Sequence, residues 1–313
     1  MADHGTPRRT FLKSAAVGAA AGLAPSWLAA RVAEAAPPTI LDRLGVALYT
    51  VRDQMTKDPA GTLKAIAGLG YHYVESALQP SLDSAAKAAG LKQASAYAPT
   101  YLVTGNREAW KGAGELLPES YTFASAVDEA KARGLQYLVV VYLMKAERGG
   151  LDWYRDLAKR MTKAGETCHK AGLGLAYHAH AFEYEAIDGK RPIDILLGET
   201  PRDLVGLELD TFWASIAGND PAKMVETHAG RVPLVHLKDK ARGTPVQYDE
   251  GKVPPEAFKE VGAGEIDYPR FFVAAEKAGV KYYFVEQDQT VGSTPIDSLR
   301  VSRAAVAAAV RHT

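Results

Sequence analysis

Ala-Gly-Leu-Gly-Leu-Ala-Tyr-His, residues 171–178, ends one amphipathic stretch and at once opens an apolar run. Gly172 suits the left-handed residue that stops a helix and turns the chain back, and the run behind it is strand-like. The same punctuation recurs at Arg-Gly-Leu 133–135 and Ala-Gly-Val 278–280. Working outward, strand readings fall at 44–50, 71–76, 92–98, 135–142, 173–178, 205–210, 232–237 and 281–286. Helix patterns lie between most of them, at 59–68, 121–133, 151–171, 221–228 and 268–278. Asp58-Pro59 and Asp220-Pro221 have the form of helix starts, an acidic cap followed by proline in the first turn. Repeated units of this kind imply a parallel sheet. Eight strands in one domain, 41–313, predict an α/β fold of the (β/α)8 TIM-barrel type. An open nucleotide-binding sheet is disfavoured, because no Gly-x-Gly-x-x-Gly turn follows the first strand.

Four of these runs end in metal-type side chains: His178, Asp210, His236 and Glu286. Strand ends converge on one rim of such a barrel, so residues distant in sequence meet there. Alternation of side chains fixes which face each one takes. Leu207 and Leu209 are expected against the helices, which turns Glu208 and Asp210 inward. Val235 and Leu237 outward place His236 and Lys238 inside. Leu175 and Tyr177 outward leave His178 and His180 inside, and Val74 outward leaves Glu75 inside. Two imidazoles and two carboxylates on one wall are expected to bind one divalent cation, Mn²⁺, Mg²⁺, Co²⁺ or Zn²⁺. Taken singly, a strand-end histidine is commonly a hydrogen-bonded structural residue and a strand-end aspartate a helix cap. Their concerted parity favours the metal. Glu208 is expected in a buried network, and His180 and Glu183 as supporting or substrate-contacting groups.

Composition narrows the function class. Lys plus Arg total 37 and Asp plus Glu total 37, so no net field recruits nucleic acid or an anionic membrane. A lone Cys168 excludes an internal disulfide framework. Residues 1–35 read as an export signal: Arg8 and Arg9, a short Ala- and Gly-rich apolar run from Ser14 to Leu28, and Ala33-Glu34-Ala35 before the expected cleavage. The Arg-Arg-x-Phe-Leu-Lys string resembles the twin-arginine class of bacterial signals. It implies a periplasmic or otherwise extracytoplasmic product with no stable membrane association after cleavage. Homo-oligomerisation is left open.

Leu-Tyr-Thr-Val-Arg-Asp (48–53), Gly-Tyr-His-Tyr-Val-Glu (70–75), Tyr-His-Ala-His-Ala-Phe-Glu (177–183), Leu-Glu-Leu-Asp-Thr-Phe-Trp (207–213), His-Leu-Lys-Asp (236–239), Gly-Ala-Gly-Glu-Ile-Asp (262–267) and Val-Glu-Gln-Asp (285–288) recur along the strands and their ends. Through these strings the chain from about Leu41 onward resembles the sugar phosphate isomerase/epimerase group of the xylose isomerase-like barrels. In the epimerases of that group the resemblance implies a Glu, Asp, His, Glu metal set on strands five to eight. Asp210, His236 and Glu286 match, and His178 stands where a glutamate is expected. The resemblance implies a metal-dependent isomerase or epimerase of a small carbohydrate, abstracting a proton next to a carbonyl through a metal-stabilised enediolate. Glu286, Glu75 and Lys238 are the expected catalytic groups. Tyr49, Arg52, His180, Glu183 and Trp213 are the expected substrate contacts. The loss of one carboxylate at position 178 opens a second expectation, a lyase or dehydratase acting on a keto-sugar, keto-glycoside or inosose. A third is a sugar-binding protein that keeps only a structural metal. Nucleic-acid hydrolysis, as in the endonuclease IV relatives, would call for a richer metal set and a basic face.

Overall fold

Gly172 does end a helix: it takes φ 82° directly after the 21-residue helix Leu151–Ala171, and Gly279 takes φ 86° after Tyr268–Ala278. Asp58 accepts from the Gly61 N–H, and Asp220 from those of Ala222 and Lys223, capping Pro59–Gly68 and Pro221–Thr227. The structure, a computed structural model, describes residues 38–113 and 116–312. The expected export signal at 1–35 lies outside the described residues. Among those residues no helix is long and apolar enough to cross a membrane.

Ten strands are labelled in chain order among the described residues: β1 Leu44–Ala47, β2 Tyr73–Ala77, β3 Lys92–Tyr97, β4 Tyr137–Val140, β5 Gly174–His178, β6 Val205–Asp210, β7 Leu234–Leu237, β8 Asp239–Lys240, β9 Phe258–Lys259 and β10 Tyr282–Val285. All but β8 and β9 pair in parallel around a closed barrel, in the order β1-β10-β7-β6-β5-β4-β3-β2. This is the (β/α)8 barrel expected from the sequence. The barrel strands are shorter than their apolar runs because the run ends pass into the loops.

The expected parity holds. Leu175, Tyr177, Leu207, Leu209, Val235, Leu237, Val74 and Val285 join the large core between barrel and helices. Ala47, Ala94, Val139, Ala176, Leu234, Tyr282 and Phe284 form a separate cluster, with Tyr73, Tyr97 and Tyr137 packed against it, inside the barrel. The polar rim above this plug is where the chemistry-bearing residues collect. Gly45 is obligatory low in the barrel, where an added Cβ would sit 2.7 Å from the Phe284 ring.

Two features shape the rim. The β2–β3 register steps between Val74 and Glu75, so that Glu75 lies opposite Ser95. Such an irregularity re-aims the side chain beside it. The second is the antiparallel hairpin β8–β9, absent from the sequence reading, which carries the excursion 241–257. It is pinned by Asp239, whose buried carboxylate accepts from the N–H groups of Gly262, Gly264 and Ile266 at 3.0–3.1 Å. This accounts for the Gly-Ala-Gly-Glu-Ile-Asp segment: a Cβ on Gly264 would overlap the Asp239 carboxylate and the Lys240 carbonyl.

Candidate metal centre

β6 ends on Asp210, and the two expectations for that residue turn out to be compatible. Its Oδ1 accepts from the N–H groups of Phe212 at 2.8 Å and Trp213 at 2.9 Å, capping the helix Thr211–Ile216. The cap fixes the carboxylate plane and turns Oδ2 toward the barrel axis. That oxygen is buried, forms an ion pair with Lys238 Nζ at 2.8 Å, and makes no hydrogen bond of good geometry. Around it stand His178 Nε2 at 3.7 Å and His236 Nδ1 at 4.0 Å. Glu286 Oε2, just beyond β10, lies 2.9 Å from His236 Nδ1.

Donors that share one ion at about 2.0–2.2 Å stand roughly 3–4 Å from one another. His178, Asp210 and His236 therefore fit a single divalent cation in spacing and donor type, and Glu286 stands beside them against His236. His178, Asp210 and His236 also group as a buried triad with ligand atoms within 4.8 Å of one another.

The far side of each imidazole is held by a carboxylate. Glu208 Oε2 lies 2.9 Å from His178 Nδ1, and Glu75 Oε2 lies 2.6 Å from His236 Nε2. Ser95 Oγ in turn donates to Glu75 Oε1 at 2.5 Å. A carboxylate behind a ligating histidine fixes the ring and its tautomer and raises its basicity. The outward nitrogens, His178 Nε2 and His236 Nδ1, are the ones left facing Asp210 Oδ2.

The electrostatics are those of a cation site. Asp210, Glu286 and Asp288 are gathered about a single ammonium, Lys238, which contacts Glu286 Oε2 at 2.6 Å and Asp288 Oδ2 at 2.7 Å, while Glu75 and Glu208 flank His236 Nε2. Burial, then the neighbouring Glu75 carboxylate, holds Glu208 well above the ordinary range. Burial alone would lower His236, but Glu208 and Glu286 outweigh it and raise it well above normal. Burial, reinforced by His236, keeps His178 low and neutral, with a free lone pair. Burial raises Glu286, yet Lys238 and His236 overcome that and hold it ionised below the usual carboxylate range. Surplus negative charge thus draws a proton onto His236 where a cation would serve the same purpose.

A cavity of about 610 Å³ opens above the centre, and His178, His236, Glu286, His180, Trp213 and Tyr49 all line it. The other expected site residues stand outside that lining. Glu75 is fully buried behind His236, and Lys238 is buried beneath the carboxylates with its Nζ 5.4 Å from the centre of the Trp213 ring. Glu183 is buried with Oε1 taken by the Tyr177 hydroxyl at 2.6 Å and Oε2 by the His180 N–H at 2.8 Å. Arg52 stacks on the Tyr49 ring at 4.3 Å and donates to the Tyr49 and Asp288 carbonyls, facing a neighbouring polar cleft of about 200 Å³. Cys168 is buried and its thiol is pushed up to about 12, in keeping with a structural role.

Residues that the sequence reading passed over also line the cavity, among them Asp288, Glu250 and Trp110. Asp288, pushed up to about 6 by burial against the opposing pull of Lys238, carried a usable signal: it lies two residues past Glu286, in the same parity. Glu250 and Trp110 come from long loops where no periodicity marks them.

Comparison with known proteins places this geometry. Residues 63–300 match the xylose isomerase-like TIM barrel family. The inosose dehydratase of Geobacillus kaustophilus is 34% identical over 86 residues, 28% of this chain and 27% of that protein. The inosose dehydratase of Clostridium tetani is 29% identical over 143 residues, 44% of this chain and 47% of that protein. The chain thus spans less than half the length of these curated relatives. In three dimensions it resembles a sugar phosphate isomerase/epimerase from Parabacteroides distasonis, with TM-score 0.66 and 21% identity over 89% of this chain and 98% of the other. It also resembles the IOLI protein crystallised with a zinc atom, with TM-score 0.62 and 18% identity over 86% of this chain and 98% of the other. With the matched region covering most of the barrel, the chain belongs to the xylose isomerase-like TIM barrel family.

Proposed function

We propose that this protein is a divalent-metal-dependent lyase of the dehydratase type, acting on a carbohydrate that carries a ketone. The observation that carries the reading is the asymmetry of the rim. His178, His236 and Glu286 line the cavity, and of its carboxylates Glu286 and Asp288 both come from the β10 end while Glu250 is tied up by Arg148 and Tyr142. Two-base epimerisation requires proton removal on one face and return on the other. Glu75 and Lys238, the other expected catalytic groups, and Glu183 are buried outside the cavity lining, and position 178 is an imidazole whose outward nitrogen faces the cation site. Elimination needs one base. The similarity to inosose dehydratases supports the same choice.

In this reading Glu286, held ionised by Lys238, takes the proton from the carbon next to the ketone. Electrons from the broken C–H bond form a carbon–carbon double bond as the hydroxyl on the next carbon leaves. That hydroxyl takes up the proton, and the products are an enone and water. A cation held by His178, Asp210, His236 and Glu286 would supply Lewis-acid stabilisation of the negative charge that develops on the carbonyl oxygen. Trp213 and Tyr49 flank the ring, and Lys238 positions Glu286 and Asp288 from beneath.

The isomerase/epimerase reading keeps one specific support. His180 lines the cavity from the β5 side, and its Nδ1 has no hydrogen-bond partner. A neutral imidazole there would be the opposite-face base. Proton NMR in deuterium oxide with a panel of keto-sugars and an inosose separates the two. Metal-dependent loss of the α-proton with formation of an enone supports elimination. Exchange leading to a C-epimer instead overturns it in favour of isomerisation, and exchange that proceeds without metal contradicts both.

A further inference from the structure

The cavity has two chemically different halves. The strand ends contribute His178, His236, Glu286 and Asp288; the loops beyond them contribute Trp110, Met144, Val253 and Pro255. At about 610 Å³ the whole lies within the range that encloses drug-sized ligands. A single sugar ring over the metal centre leaves the outer half unfilled.

That outer half is built, not incidental. The Trp110 Nε1–H donates to Glu147 Oε2 at 2.8 Å, and Glu147 is itself buried, accepting from Thr104 Oγ1 at 2.5 Å and the Met144 N–H at 3.0 Å. The indole's polar atom is thereby occupied, and its carbons are what remain to meet a ligand. On the facing side, the excursion 241–257 is tied to the loop after β4. Glu250 accepts from Arg148 at 2.5 and 3.1 Å and from the Tyr142 hydroxyl at 2.6 Å, and Lys145 pairs with Asp249 at 3.2 Å. These ties use up the polar groups nearest the apolar wall. A hydroxyl-covered second sugar would leave its own groups unpaired against it, which is unfavourable. An apolar group would bury surface there with no such penalty.

We infer that the substrate is a keto-glycoside whose aglycone is apolar and ring-bearing, with the aglycone seated against Trp110, Met144, Val253 and Pro255. This assignment rests on the elimination reading above and extends it. With the ketone two carbons from the glycosidic carbon, loss of the intervening C–H proton forms the double bond and breaks the bond to the glycosidic oxygen. The aglycone oxygen takes up the proton, so the products are an unsaturated keto-sugar and the free alcohol.

The test compares benzyl and methyl 3-keto-β-D-glucopyranosides, whose leaving alcohols have similar acidity, with free 3-keto-glucose as the reference, using zinc- or manganese-loaded protein. The expected result is a kcat/KM for the benzyl glycoside about tenfold or more above the methyl glycoside. Trp110→Ala is expected to bring that ratio toward one, and Trp110→Phe to restore part of it. Equal kcat/KM for the two glycosides overturns the assignment, as does a Trp110→Ala variant that slows both in proportion. If free 3-keto-glucose exchanges its α-proton while neither glycoside is cleaved, the aglycone assignment alone fails. If none of the three exchanges a proton, the elimination reading fails and takes this inference with it.

Discussion

His178 Nδ1 lies 2.9 Å from Glu208 Oε2, and that contact turns the opposite ring nitrogen toward the unsatisfied oxygen of Asp210. Glu208 is therefore expected to matter for the metal without touching it. Replacing Glu208 with Ala should weaken zinc affinity by about 10–100-fold, with Glu208→Gln milder because it retains a hydrogen-bonding group. Chelator competition followed by metal analysis measures both.

Asp210 serves the helix and the cation with different oxygens, and substitutions can separate the two. Asp210→Asn keeps an oxygen for the N–H groups of Phe212 and Trp213 but removes the charge. It should lose zinc binding by about tenfold or more while holding the thermal stability of the metal-free protein. Asp210→Ala should lose the metal and also destabilise the metal-free protein by about 1 kcal/mol through the lost cap. Calorimetry of chelator-treated samples distinguishes them.

Glu183 sets a pH dependence of stability. Burial pushes its pKa from the ordinary 4.5 up to about 7, despite the hydrogen bonds from Tyr177 and His180. A folded-state pKa above the unfolded one means that folding favours the protonated form. The stabilisation is complete below about pH 4.5 and is lost as pH rises through about 7, to an extent of roughly 3 kcal/mol. Glu183→Gln should flatten the stability profile across that window in urea unfolding at fixed pH. A profile as steep as that of the wild type would contradict the assignment.

Gly264 leaves no room for a side chain beside Asp239. Gly264→Ala should cost about 1–3 kcal/mol by forcing the carboxylate off its three N–H donors. It should also raise hydrogen exchange at Gly262 and Ile266, which NMR or mass spectrometry would detect.

Much of this was legible in the sequence for identifiable physical reasons. Pro59–Gly68, Leu151–Ala171 and Tyr268–Ala278 match their sequence readings because each begins or ends at proline, aspartate or glycine, residues whose backbone demands are local. The inward set His178, Asp210, His236 and Glu286 followed from alternation with Leu and Val, which the barrel enforces strand by strand. What alternation does not encode is height along the barrel axis. Glu75 faces inward as expected, yet the register step at Val74/Glu75 places it behind His236 instead of in the cavity. The β8–β9 hairpin escapes the sequence reading because its strands, Asp239–Lys240 and Phe258–Lys259, are two residues each, too short to show alternation. Trp110 and Glu250 reach the cavity from long loops, and their placement depends on Glu147 and Arg148, tertiary partners that no local pattern announces.

The central claim is that one cation binds between His178, Asp210, His236 and Glu286, with both imidazoles as ligands. X-ray absorption spectroscopy of the zinc-loaded protein, wild type against His178→Ala, tests it most directly. The account predicts a mixed nitrogen and oxygen shell at about 2.0–2.2 Å, with the multiple scattering of two imidazoles in the wild type and of one in the variant. A wild-type spectrum with a single imidazole, unchanged by His178→Ala, would contradict it.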